Sequence, residues 1–118
     1  MKDLIIIGGS VAANAAAVYA ARRKLDTQIV SEDYGGEVAT SGEIENWLGI
    51  QHTTGTELAQ QFKDHVDSYQ VPWDIGVRIE RIERASEGFK VVGKYGEEEK
   101  VYQGRAVIVA TGVHPRRL

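Results

Sequence analysis

With 118 residues and a formal charge of −3 from mixed acidic and basic positions, the sequence holds about one small domain, with no room for two sites and no basic face for a phosphate backbone, which excludes nucleic acid as a partner. It contains no cysteine, so disulfides, thiolate metal sites and a redox dithiol are excluded from these residues; redox chemistry here needs a bound cofactor or further sequence. No run approaches ~18 apolar residues, and the LIII run near the start stops at Gly8-Gly9, too early for a secretory core, so the expectation is a soluble, cytoplasmic chain with no membrane partner.

Residues 4–7 form a continuous aliphatic run suited to a strand buried on both faces, and Gly8 ends it. Residues 11–24 are alanine-rich helix formers, with Val18, Tyr19, Ala21 and Leu25 as the expected packing face. Residues 27–31 read as a second strand, bounded by an acidic pair and Gly35-Gly36. Strand, glycine turn, helix and strand make a βαβ unit with a right-handed crossover and parallel strands. Periodicity is weak from Glu37 to Thr54, where Gly42 and Gly49 predict a structured loop. Thr54-Gly55-Thr56-Glu57 fits a capping box, and Leu58, Phe62, Val66 and Tyr69 follow at helical spacing, predicting a helix to about Gln70. Short strands are then expected over residues 74–77, 79–83, 89–95, 100–104 and 106–110. Turns at Glu87-Gly88 and Tyr95-Gly96 make these an antiparallel meander inserted before a last buried strand, AVIVA. The Glu97–Glu99 charge run reads as a solvated turn.

The first candidate site is the turn GGSVAA. In a dinucleotide-binding turn the first glycine permits the tight exit from the strand, the second lets backbone approach a pyrophosphate, and the third lets helix and strand pack closely. The helix N-terminus adds free N–H groups and a partial positive charge. Ala13 is tolerated at the third position. Ser10 stands at the second, where its side chain either crowds a ligand or donates a hydrogen bond to it. Glu32 lies 24 residues beyond Gly8, past the second strand, where an acidic side chain accepts from a ribose. His52, His65 and His114 show no ligand spacing and no acidic partner nearby in sequence, so they read as surface groups, and no metal site is expected. Trp47 and Trp73 read as packing groups. No catalytic constellation of side chains stands out, which leaves the chemistry to a cofactor.

Three stretches carry a resemblance over essentially the whole chain: IIIGGSVAANAAAVYAARR, GGEVATSGEIENWLG and ATGVHPRRL. They resemble the thioredoxin reductase-like flavoproteins of the pyridine nucleotide–disulfide oxidoreductase group, whose members carry IIIGGGPAGLAAAIYAAR, GGQLTTTTEVENWPG and ATGAxPRRL in the same order and spacing. The resemblance implies an α/β, Rossmann-like FAD/NAD(P)-binding domain, a parallel sheet with a β-meander insertion. It implies that Gly8, Gly9, Ser10, Ala12 and Ala13 lie along the pyrophosphate of FAD, with Glu32 on the adenosine ribose. Gly35, Gly36 and Glu37 would pass near the pyrophosphate and ribityl chain, Asn46 would come near the flavin, and the strand around Arg78 and Ile79 would offer backbone groups to the adenine. Thr111 and Gly112 would close over the nucleotide.

The sequence departs from that pattern at four places: Ser10 for glycine, Val11 for proline, Asn14 for an apolar residue and Glu37 for glutamine. Relative to the family it is also incomplete. The expectation is that residues 1–118 form the N-terminal segment of a FAD-binding domain, with the NAD(P)H domain and the return segment absent and supplied by missing C-terminal segments or a partner chain; a homodimer is compatible with this. The implied function is the FAD-binding portion of an oxidoreductase that passes a hydride from NAD(P)H to FAD and on to a disulfide or other acceptor. The alternative is a stand-alone or degenerate dinucleotide-binding module without redox turnover.

Overall fold

The computed structural model describes residues 1–113; His114 and the PRRL that follows lie outside the described residues. Strand β1 (Lys2–Ile7) leads through the glycine turn into helix α1 (Val11–Arg22) and strand β2 (Thr27–Ser31). The two strands are parallel, with Ile6 opposite Ile29 and Ile7 opposite Val30. The helix stops two residues earlier than expected because Lys24 takes a left-handed conformation (φ 60°) that reverses the chain.

The packing face of α1 corrects the sequence expectation. Ala13, Asn14, Ala17 and Ala20 are buried, whereas Tyr19 and Leu25 are exposed; Val18 and Ala21 are only partly buried against the same cluster. Alanines let the helix axis approach the sheet closely, so the stripe of small side chains meets Leu4, Ile6 and Ile29, and the larger groups stay outside. Each of the fully buried aliphatic side chains in this layer contributes about 1.5–3 kcal/mol of transfer free energy.

The stretch expected to be a loop contains helix α2 (Gly36–Thr40) and two two-residue strands, β3 (Glu43–Ile44) and β4 (Thr53–Thr54), paired antiparallel. A five-residue helix is too short to show apolar periodicity, which is why the sequence does not reveal it. Helix α3 (Gly55–Asp67) begins as the capping box predicts: the Thr54 hydroxyl accepts from the Glu57 N–H at 3.2 Å. The Glu57 carboxylate accepts from the Thr53 hydroxyl. Gln70 at φ 61° follows its end, and Tyr69 is exposed beyond it.

Strand β5 (Trp73–Ile75) pairs parallel to β2, and β6 (Arg78–Arg84), β7 (Phe89–Tyr95) and β8 (Glu98–Val109) form the meander. All six belong to one sheet in the order β5-β2-β1-β8-β7-β6. The expected strands 100–104 and 106–110 are one continuous strand. Its first part runs antiparallel to β7 and its second parallel to β1, the two meeting at Gly104. A side chain at Gly104 would stand 2.7 Å from Ile5 Cγ1. The meander thereby brings Val77 and Val91 onto Ile5, Ile7 and Val30 on the face opposite α1.

The AVIVA stretch is not buried as expected. Ile108, beside Ile6 on the α1 face, is 39% exposed because α1 packs mainly over β1 and β2; Val109, beside Ile7 on the opposite face, is 61% exposed. No described helix is long and apolar enough to cross a membrane.

Candidate functional site

Strand β1 has β2 on one side and β8 on the other, all three parallel. The chain leaves β1 toward β2 and returns on the far side as β8, so the carboxyl ends of β1 and β8 flank a switch point, where ligand crevices open in such sheets. A cleft of about 460 Å³ lies there. The structure brings Gly8, Gly9, Ser10, Ala12, Glu32, Gly36, Glu37, Ile79, Thr111 and Gly112 to its wall.

The glycine turn is shaped first by its protein neighbours. Gly8 has φ 128°, donates to the Val30 carbonyl at 3.0 Å, and leaves no room for a side chain beside the Ala110 carbonyl. A Cβ on Gly9 would enter the Asp33 carbonyl and lie 2.8 Å from Ser31 Oγ. Both glycines therefore let the ends of β1, β2 and β8 close on one another, before any ligand is considered.

Ser10 is the N-cap residue of α1, yet its hydroxyl caps nothing in the helix. It donates to the Gly35 carbonyl at 2.6 Å. No acidic side chain occupies the first turn of α1, so neither a capping hydroxyl nor a carboxylate of its own first turn offsets the positive end of this 12-residue helix. Ser10, Val11 and Ala12 present that end to the cleft. A phosphate is the chemistry such an end accepts, and the bare backbone of the turn gives it access, so the site fits the diphosphate of a dinucleotide.

Asn14 sits one turn into the helix and is buried. Its Nδ2 donates to the Ser10 carbonyl at 2.6 Å and to the Gly9 carbonyl at 3.2 Å, while its Oδ1 is buried without a hydrogen-bond partner among the described residues. Glu32 is exposed on the cleft wall just past the end of β2, and its backbone carbonyl accepts from Gly76 N–H at 3.1 Å. Glu37 stands in the first turn of α2 on the same wall.

Four predicted residues stand away from the cleft wall. Ala13 is fully buried on the packing face of α1. Gly35 is buried behind the wall, where a Cβ would meet Ala39 and Ala59. Asn46 is exposed beyond β3, and Arg78 is exposed beside Ile79 without lining the cleft. Conversely, Ser31, Asp33, Val38, Ala110 and Val113 line it without having been singled out. Ser31 and Ala110 mark the carboxyl ends of parallel strands, a position that becomes a signal once the strand ends and their order in the sheet are known.

The β3/β4 hairpin gives one surface histidine an acidic neighbour in space. His52 Nε2 lies 3.7 Å from Glu43, and Glu45 is close by; the antiparallel register brings these distant positions together. All three side chains are exposed. Trp47 packs on Phe62 in a tilted arrangement with ring centroids 5.3 Å apart, and Trp73 packs against the α1 cluster under Lys63, so both are packing groups as expected.

Comparison with known proteins places this cleft in context. The family model described as pyridine nucleotide-disulphide oxidoreductase matches residues 2–118. The F component of the alkyl hydroperoxide reductase of Staphylococcus aureus is 37% identical over 116 residues, which are 98% of this chain and 22% of that protein. Among solved structures, the thioredoxin reductase of Streptococcus pyogenes superimposes with a TM-score of 0.89 at 31% identity over 100% of this chain and 37% of its own. The T. acidophilum thioredoxin reductase gives 0.88 at 32% identity, over 99% of this chain and 37% of its own. The chain thus spans about a fifth of the length of the curated relatives it matches and over a third of the structural ones.

Proposed function

The chain belongs to the pyridine nucleotide-disulphide oxidoreductase family, and from that premise we propose that it is the FAD-binding portion of an NAD(P)H-dependent flavoprotein oxidoreductase, a cytoplasmic enzyme in its complete form. The observation that carries this reading is the convergence, at the β1/β8 switch point, of the unshielded α1 N-terminus, Glu32 and the Thr111-Gly112 segment around one cleft. In that role the Gly8–Gly9–Ser10 turn and the N–H groups opening α1 hold the two phosphates, and Glu32 accepts from the adenosine ribose. The strand at Ile79 offers backbone groups to the adenine, and Thr111 and Gly112 close over the nucleotide. FAD bound there would supply the redox chemistry, hydride acceptance from NAD(P)H and electron transfer to a disulfide or another acceptor. This chain's own residues bind and orient; no described side chain is assigned a proton-transfer role.

In this reading residues 1–118 form the first segment of the FAD-binding domain, and the NAD(P)H domain and return segment belong to further sequence or to a partner chain. The share of each relative that the chain covers supports it. Calorimetric titration of the chain with ADP, FAD and GDP tests the site. ADP and FAD binding at one site, weakened by Glu32→Ala, is expected; no binding of either, or equal affinity for GDP, overturns it. Reconstitution with the remaining segments then separates the two functional classes. FAD-dependent oxidation of NAD(P)H marks an oxidoreductase, and nucleotide binding without turnover marks a binding module.

A further inference from the structure

We propose that Ser10 and Asn14 act as one coupled pair of positioning residues, which tie the phosphate-facing turn to the Gly35-Gly36 loop and so set its shape before any nucleotide arrives. Two backbone segments far apart in sequence meet here, residues 8–10 at the end of β1 and residues 35–36 at the start of α2. Two hydrogen bonds cross between them, and two more from Asn14 brace the turn on its helix side. Gly35 N–H donates to the Gly9 carbonyl at 2.8 Å, and the Ser10 hydroxyl donates to the Gly35 carbonyl at 2.6 Å. Asn14 Nδ2 then donates to both the Ser10 carbonyl at 2.6 Å and the Gly9 carbonyl at 3.2 Å.

The two side chains act on the same short segment from opposite sides. Asn14 holds the carbonyls of Gly9 and Ser10 from within the helix, and Ser10 reaches across to the loop. The Gly9 carbonyl is shared, accepting from both Gly35 and Asn14. These are the positions at which the turn and the helix carry polar side chains in place of a glycine and an apolar residue. A glycine at position 10 leaves the turn untethered on that side, and an apolar residue at position 14 leaves the Gly9 carbonyl with one donor fewer. The spatial fit agrees: a Cβ on Gly36 would stand 3.1 Å from Ser10 Cβ, so loop and turn are in contact and Gly36 is held to a glycine. Groups that share one hydrogen-bond network lose their contributions together, not independently. The consequence for the cleft is preorganisation: a turn already held in one shape spends less of the binding free energy on ordering.

The nucleotide arm of this proposal rests on the reading of the cleft given above, whereas the tie has a readout of its own. Amide hydrogen exchange at Gly35 in the ligand-free chain reports it, compared across wild type, Ser10→Ala, Asn14→Leu and the double variant. Ser10→Ala keeps the Cβ, and leucine nearly preserves the shape of asparagine. The expected result is an exchange rate at Gly35 about fivefold faster in each single variant, the size of one ordinary hydrogen bond. The double variant should exchange no faster than the more affected single one, while the buried Ile29 amide, which donates to the Pro72 carbonyl on the β5 side of β2 at 3.0 Å, stays protected in all four. ADP affinity should weaken in parallel. Unchanged Gly35 exchange in either single variant overturns the tie, additive changes overturn the coupling, and equal acceleration at Ile29 makes the effect global loosening and overturns the positioning role. If wild type binds no ADP, the reading of the cleft fails, and Gly35 exchange alone still decides for or against the tie.

Discussion

The Ser10 hydroxyl donates to the Gly35 carbonyl at 2.6 Å, turning the side chain at the second position of the glycine turn sideways into the protein. Sequence alone leaves two readings, crowding of a phosphate or donation to it; the structure gives the hydroxyl a protein partner instead. Ser10→Gly is therefore expected not to tighten nucleotide binding. It removes one hydrogen bond, worth about 1 kcal/mol, and adds backbone freedom to the unfolded chain. Urea denaturation should show a loss of roughly 1–2 kcal/mol, and a more stable or tighter-binding variant would restore the crowding explanation.

Glu32 stands on the cleft wall in an exposed position past β2. Glu32→Ala should weaken ADP binding by about 1.5–3 kcal/mol, the range for a hydrogen bond to a charged group, with folding stability within about 0.5 kcal/mol of wild type. The ribose contact has its own signature. Wild type should prefer ADP over 2′-deoxy-ADP, and the variant should bind the two nearly alike in calorimetric titration. A variant that keeps the full preference moves the contact to another group.

Ala17 is fully buried where α1 meets Leu4, Ile6 and Ile29. Ala17→Leu pushes the helix from the sheet, and overpacking of this kind costs about 1–3 kcal/mol. Since α1 also carries the turn, ADP affinity should fall with the melting temperature. A neutral effect on both would show that the helix–sheet distance has slack.

Local signals in the sequence locate the elements that depend on local chemistry. The LIII run, the second strand and the Thr54 cap all stand where the residues place them, because a β-branched run stopped by glycine and a threonine three residues before glutamate need no distant partner. What depends on neighbours is less legible. The face of α1 is set by how closely alanines approach β1, so Tyr19 and Leu25, the larger apolar groups, mislead. Strand β8 reads as two because Gly104-Arg105 looks like a break; only the exchange of partners from β7 to β1 makes it one. The same division holds for the cleft. The turn and Glu32 are readable from spacing, whereas Ser31, Val38 and Ala110 line the wall only because of where strand and helix ends meet.

On the face opposite α1, the Tyr102 hydroxyl donates to the Asp74 carboxylate at 2.6 Å. Burial first, and then the hydrogen bond to Asp74 with its negative charge, raise the Tyr102 hydroxyl above the usual tyrosine range. The folded chain therefore holds this proton more tightly than the unfolded chain, in which the group titrates near about pH 10. Below that pH both states carry the proton, and the contribution to stability is fully present. Above it the unfolded state releases a proton that the folded state keeps, so stability falls as pH rises. Tyr102→Phe removes this group from the balance and leaves the Asp74 carboxylate without its hydroxyl donor, which should cost about 1–2 kcal/mol near neutrality. Thermal unfolding of both proteins between about pH 8 and about pH 11 isolates the effect, since every other titrating group is common to the pair. The wild-type advantage should be constant up to about pH 9 and shrink above it. An advantage that stays the same across the whole range would mean that Tyr102 titrates alike in both states, and that the contact with Asp74 does not hold its proton.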